Sequence, residues 1–286
     1  MTDWNVPEIR DLLVEAGKIA LQYFHAPETV HKHDTSLVTA GDHAVEAFLT
    51  EALAPGTDGT FFIGEESVGG TSQEEVDAAL AGRTWVVDPI DGTAPYANRL
   101  PNWGISIGLL DAGRFAEGAL FLPRSGELFI TSGDSVLYQE TSSRPDTWIF
   151  DDLTALPRTD HPYVSTGMIS LPREVIRNGR FTGKNPIQSV GSAVWVIAKL
   201  IQGSYIGVIT GLKLWDMAGS APILSRMGFI VEYADGHRLG EKVLPTDWIT
   251  DASNPRLWKC RGNLFIAQSE ETLRFLHKHY RSDAAR

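Results

Sequence analysis

The sequence predicts a layered α+β fold, and three observations carry that expectation. Two N-terminal segments show helical spacing, a run of turn-separated apolar strands follows, and helices and strands mix without regular alternation downstream.

Apolar residues at Ile9, Leu12, Leu13, Ala16, Ile19, Ala20 and Tyr23 predict a helix over 9–24. Val45, Phe48, Leu49 and Leu53 repeat that spacing over 42–53. The polar stretch between them, 31–39, reads as a turn or short hairpin, and Pro55 to Gly59 as a breaker. Segments 60–64 and 84–88 read as short buried strands, one ending on glycine and the other on a carboxylate. A weak helix is expected near 74–80. Strand-like segments 103–110, 114–121 and 127–131, separated by Asp111-Ala112-Gly113 and by Pro123 to Gly126, predict an antiparallel meander. Stretch 132–162 is polar, with apolar islands such as Trp148-Ile149-Phe150, and takes a soft domain boundary. Beyond it, 193–201 reads as helix and 205–209 as strand. One helix is expected over 217–227, with Pro222 able to kink it. Segments 229–233 and 263–267 read as strands, and 270–280 as a terminal helix. The expected division is an N-terminal half, 1–140, with most metal-ligand candidates, and a C-terminal half, 141–286, within one compact unit.

The chain of 286 residues is 43% hydrophobic and 21% charged, which excludes a disordered or collagen-like protein. Its 25 Lys+Arg against 36 Asp+Glu give a net charge of −11. That sign argues against nucleic acid and anionic membranes as partners. A small phosphorylated substrate remains compatible, because bound cations reverse a local potential. The single cysteine, Cys260, allows no intrachain disulfide and no paired-cysteine zinc motif. With no signal peptide in the first residues and no apolar run near 18 residues, a cytoplasmic protein is expected.

Three acidic clusters adjoin predicted buried chain: Gly64-Glu65-Glu66-Ser67, Asp88-Pro89-Ile90-Asp91-Gly92-Thr93 and Trp215-Asp216-Met217. Each carboxylate has an ordinary explanation as a turn or cap residue. Asp216 would cap a helix starting at Met217, and Asp91 a turn or helix opening at Gly92-Thr93. Three such clusters together suit a hard-cation site better. Mg²⁺ prefers carboxylate, carbonyl and water oxygens. Asp88 and Asp91 flank a restricted Pro89 turn that presents the Ile90 carbonyl, and Gly92 and Thr93 offer backbone N–H groups where phosphate binds well. Glu65, Glu66, Asp88, Asp91 and Asp216 would repel one another without two or three divalent ions. The eight histidines form no ligand motif, and no Walker loop or Gly-x-Ser-x-Gly elbow is present.

Asp88-Pro89-Ile90-Asp91-Gly92-Thr93, with Gly64-Glu65-Glu66-Ser67 upstream and Trp215-Asp216 downstream, resembles the inositol monophosphatase family of Mg²⁺-dependent, lithium-sensitive phosphatases. Segments 37–42 and 189–193 resemble two further family motifs. The resemblance implies an α/β/α/β/α sandwich of the inositol monophosphatase and fructose bisphosphatase type, and a homodimer. It implies Glu65, Asp88, the Ile90 carbonyl, Asp91 and Asp216 as ligands of two or three Mg²⁺ ions, with Glu66 as the acid that helps hold a water or further metal. Thr93 would orient the attacking water with Asp42 as its partner, and the Gly92 and Thr93 amides would cradle phosphate. The implied reaction is in-line attack by metal-activated water on a small phosphate ester, without a phosphoenzyme.

Inositol-preferring members place a carboxylate seven residues before the Trp-Asp aspartate, where this chain has Ile209. That departure disfavours inositol phosphates. It leaves other sugar or polyol phosphates, histidinol phosphate and 3′-phosphonucleotides, including a 3′(2′),5′-bisphosphate nucleotidase activity. The family's glycine-rich hairpin is not recognisable around 132–140. Ser165, Thr166, Ser192 and Lys213 are the candidate substrate contacts, with loop polarity or a solvated lysine as equally available explanations. The alternative to catalysis is a regulatory or interaction protein that keeps the fold.

Overall fold

The computed structural model describes residues 3–31, 37–54, 59–159, 164, 166–177 and 179–282. Its centre is a seven-stranded sheet. In spatial order its strands are Phe61–Gly64, Arg83–Asp91, Gly104–Asp111, Arg114–Leu122, Glu127–Ser132, Ser135–Glu140 and Thr154–Ala155. The first pair is parallel and every later pair antiparallel. Side chains alternate across it. Trp85 and Val87 enter one core with Ile9, Leu13 and Leu49, while Val86 enters the other with Leu200 and Met217. A strand buried on both faces reads as an unbroken apolar run, which is how 84–88 appears in the sequence.

Helices Val6–Phe24 and Ala40–Leu53 cover one face of this sheet. Both have side-chain N-caps: Asn5 accepts from the Glu8 amide at 3.2 Å, and Thr39 with Asp42 forms a capping box. Helices Ala193–Ile201, Leu214–Ala218 and Ala221–Arg226 cover the other face. Behind them lies a five-stranded sheet in the order Ile187–Gln188, Ile169–Ser170, Gly207–Thr210, Leu264–Ala267 and Ile230–Tyr233. Helix Glu270–His279 packs on its outer side, with Leu273 and Leu276 against Ile209 and Phe265. The result is the expected α/β/α/β/α layering. The middle helical layer is apolar on nearly every side because a sheet faces it from each direction.

Two glycines set the distance between layers. A Cβ on Gly118 would lie 2.1 Å from the Gly219 carbonyl oxygen, and one on Gly108 would lie 2.3 Å from the Ala218 carbonyl carbon. Only glycine lets the chain carrying Asp216 press onto the sheet that carries Asp88.

Two expectations need correction, and one stretch left unread proves to be ordered. The single helix over 217–227 is two short helices that break at Gly219-Ser220. Pro222 kinks neither, since it sits in the first turn of the second, where its missing N–H is not needed. The first of these helices begins at Leu214 rather than Met217, so Asp216 lies inside its first turn. The polar stretch after Ser132 contains two further strands of the main sheet. Its hairpin turns through Gly133-Asp134, with Gly133 at φ 54°. The apolar island there alternates: Trp148 and Phe150 pack edge-on against Phe121, while Ile149 is exposed.

Candidate functional site

Asp88 and Asp91 lie at the end of the Arg83–Asp91 strand, where its register against Gly104–Asp111 shifts. Pro89 cannot donate to a ladder, and such an irregularity accommodates it. The break brings both carboxylates toward Asp216. Ligand oxygens of Asp88, Asp91 and Asp216 all lie within 4.8 Å of one another. They line a cleft of about 970 Å³ together with Glu65, Gly92 and Thr93.

The three carboxylates are held differently. Asp91 accepts from the Ser192 hydroxyl, from the Val194 amide at 2.7 Å and from the Ala193 amide at 3.2 Å. It therefore helps cap the Ala193–Ile201 helix, a distant one, and not the turn at Gly92-Thr93. Asp216 accepts from the Lys213 amide at 2.7 Å. Asp88 is 1% exposed, and neither of its carboxylate oxygens has a hydrogen-bond partner among the described residues. Burial, with repulsion from Glu65, Asp91 and Asp216, pushes the Asp88 carboxyl well above the ordinary range. Burial likewise raises Asp91 to about 7 against its three donors, and Asp216 to about 6 against the Lys213 amide.

An unpartnered pair of carboxylate oxygens among other buried carboxylates is costly unless a cation compensates it. The donors are all hard oxygens, so this set fits Mg²⁺. Asp88, Asp91 and Asp216 are close enough together to hold it, and Glu65 lines the same cleft. The Ile90 side chain is fully buried in the core, and its carbonyl accepts from the Thr93 hydroxyl at 3.3 Å.

Thr93 also stands 3.3 Å from Asp42 Oδ1, to which its hydroxyl can donate. The other Asp42 oxygen accepts from the Thr39 amide at 2.8 Å and the Thr39 hydroxyl at 2.5 Å. Asp42 is fully buried, and burial raises its carboxyl to about 6. Gly92 precedes Thr93 at φ 92°, and a Cβ there would meet the Ser192 Cβ at 2.8 Å.

The remaining candidates divide. Lys213 is not a freely solvated lysine: its ammonium lies 3.2 Å from Glu65 Oε1 and 4.9 Å from the Trp215 ring centre. Ser192 lines the cleft, but its hydroxyl donates to Asp91 and accepts from the Trp195 amide at 3.1 Å, so it serves the helix start. Glu66 is half-buried beside Glu65 without lining the cleft, and its amide donates to Glu46 Oε2 at 2.8 Å. Thr166 is exposed and outside the cleft, while Ser165 lies outside the described residues. Ile209 faces the outer core with Phe265. Strand alternation turns Thr210 to the cleft instead, and Ser170 joins it there. Arg173, Arg256, Lys259 and Arg261, none of them a candidate from the sequence, also stand on the cleft wall. The run Arg256-Leu257-Trp258-Lys259-Cys260-Arg261 was the available signal for three of them.

A model of the inositol monophosphatase family matches residues 7–271. The chain belongs to the inositol monophosphatase family. Among members of this family, it is 27% identical to the inositol-1-monophosphatase of Bacillus subtilis, over 80% of this chain and 85% of that one. It is 28% identical to Nus factor SuhB of Salmonella typhimurium, over 86% of this chain and 89% of that one. An inositol monophosphatase/NADP phosphatase solved with Mg²⁺ and phosphate shares the fold at TM-score 0.67 and 16% identity, covering 94% of each chain. No helix among the described residues is long and apolar enough to cross a membrane.

Proposed function

We propose that this family member is a Mg²⁺-dependent phosphatase that hydrolyses a small phosphate monoester. One observation carries the reading: Asp88, buried with both oxygens unpartnered, sits within ligand distance of Asp91 and Asp216. Glu65, Asp88, the Ile90 carbonyl, Asp91 and Asp216 would hold the metal. When bound, Mg²⁺ stabilises charge on phosphate oxygens and lowers the pKa of water.

The chain's own groups then divide the work. The Gly92 and Thr93 amides, at the start of helix Thr93–Ala97, would offer their N–H groups to a phosphate. With its hydroxyl donating a hydrogen bond to Asp42, Thr93 keeps its oxygen lone pairs free to accept from and orient an attacking water. Thr39 fixes Asp42 in that role through two hydrogen bonds. Attack on phosphorus forms the new P–O bond as the ester P–O bond breaks, and the alcohol departs with a proton. The ester class is a sugar, polyol or nucleotide phosphate, with histidinol phosphate and 3′(2′),5′-bisphosphates included.

Phosphate release from a panel of such esters, with Mg²⁺ and with EDTA, tests this. Mg²⁺-dependent release that disappears in Asp88→Asn is the expected result. A folded protein that binds Mg²⁺ but releases nothing would refute it. That result would favour the second reading, a non-catalytic regulatory role, which the likeness to Nus factor SuhB supports.

A further inference from the structure

The cleft that holds the carboxylates also carries positive charge. Arg173, Lys213, Arg256, Lys259 and Arg261 all line it. The chain has 36 acidic against 25 basic residues, so its cations should find carboxylates readily. Lys213 has Glu65. Among the described residues, Arg173 reaches only Glu174, another cleft residue, at 3.8 Å. Arg256 and Lys259 make no side-chain hydrogen bond or ion pair among the described residues. Arg261 is oriented by its Nε, which donates to the Pro245 carbonyl at 2.5 Å.

The segment bearing these cations is stitched down. The Leu214 amide donates to the Trp258 carbonyl at 2.8 Å, and the Cys260 amide to the Leu212 carbonyl at 2.9 Å. These bonds tie it to the chain on both sides of Lys213. The Trp258 amide donates to Ile249 at 2.7 Å, and the Arg261 amide to Asp247 at 2.9 Å. Trp258 is 1% exposed and sits at φ 67°, a left-handed conformation unusual for a bulky residue. Such a conformation persists where the surroundings over-determine it, and it clusters at ligand sites. The cavity, about 970 Å³, is at the upper end of the range for small-molecule sites. It has room for more than one phosphate on one small ring.

We propose that Arg256, Lys259 and Arg261 form a subsite for a second anionic group on the substrate, so that the preferred esters carry a further phosphate remote from the scissile one. The inference rests on the phosphatase reading above. A phosphate presents several acceptor oxygens to the Arg forks and the Lys ammonium. The carboxylate cluster would need bound cations to hold the scissile phosphate, whereas this wall needs none.

The test compares kcat/KM in Mg²⁺ for matched esters: adenosine 3′-phosphate against adenosine 3′,5′-bisphosphate, and fructose 1-phosphate against fructose 1,6-bisphosphate. The second phosphate should raise kcat/KM about tenfold or more, mainly through KM, and added salt should shrink the advantage. An Arg256→Gln/Lys259→Gln double variant should bring each ratio toward one. Arg256→Glu, a single exposed change, serves if the double variant folds poorly. Arg144→Gln, outside the cleft, should keep the wild-type ratio. Equal kcat/KM within both pairs, or an advantage that survives in the variants, would overturn the subsite and leave the phosphatase reading standing. No release from any of the four esters would overturn the subsite, and Mg²⁺-dependent release from another ester of the wider panel would then leave the phosphatase reading standing.

Discussion

The Lys213 ammonium lies 3.2 Å from Glu65 Oε1, a single positive charge against one wall of a buried acidic cluster. Glu65 and Asp216 hold the Lys213 pKa above its ordinary value, although burial alone would lower it. A fixed cation here opposes divalent ions and favours an anionic ester. Lys213→Gln should therefore tighten Mg²⁺ binding and raise KM for substrate, each by about three- to tenfold, because the half-exposed pair is partly screened. Calorimetric Mg²⁺ titration and steady-state kinetics give the two readouts. Shifts of both in the same direction would contradict the assignment.

Without metal, the cluster should make stability fall as pH rises. The folded pKa values of Asp42, Asp91 and Asp216 are raised to about 6, 7 and 6, and that of Asp88 well above its ordinary value. Groups raised in the folded state favour folding fully below their unfolded pKa near 4. They lose that contribution as pH climbs through about 6 to 7, when burial forces charge on them. In EDTA, Tm should drop between pH 5 and pH 8 by an amount reflecting a few kcal/mol, at about 2–4 °C per kcal/mol for a chain approaching this size. Saturating Mg²⁺ should abolish the drop. Asp88→Asn should be more stable than wild type in EDTA at pH 8, yet gain less from Mg²⁺. A flat wild-type profile in EDTA would show that the carboxylates are not strained.

The Thr93–Asp42 contact should affect turnover more than binding. Thr93→Val removes the hydroxyl but keeps the side chain's shape, so kcat should fall about 10²- to 10⁴-fold with little change in KM. Thr93→Ser should recover most of the loss. If Thr93→Val raises KM and spares kcat, the hydroxyl contacts the bound ester and does not orient water. Thr39→Val breaks the capping box that fixes Asp42, and should cost about 1 kcal/mol of stability in addition to lowering kcat.

The sequence disclosed the parts of this fold that obey local rules. Helix 9–24, the meander after Trp103 and the carboxylates at 88 and 91 follow periodicity or adjoin apolar runs. What stayed hidden depends on contacts between distant segments. Asp91 reads as the cap of the nearest turn, but it caps a helix about a hundred residues away. Ser192 reads as a substrate contact for the same reason, because nothing local shows that its hydroxyl meets Asp91. Thr154–Ala155 is too short for any periodicity and exists because an edge strand is there to pair with it. The basic wall was obscured by averaging, since a net charge of −11 says nothing of where 25 cations gather.

The spacing between layers yields a prediction that separates stability from metal binding. A Cβ on Gly118 would meet backbone atoms of Gly219, and backbone cannot rotate away as a side chain can. Gly118→Ala should thus cost about 1–3 kcal/mol, toward the upper end of the usual overpacking penalty. The strain should relax by moving the break between the two short helices, which carries Asp216 away from Asp88. Mg²⁺ half-saturation should rise along with the loss of Tm. Gly133→Ala provides the contrast: a Cβ there meets nothing within 4 Å, and only its φ of 54° is unfavourable. It should lower Tm modestly through backbone strain and leave Mg²⁺ binding at its wild-type value. If Gly118→Ala destabilises the fold without weakening Mg²⁺ binding, the close approach serves packing alone and does not position Asp216.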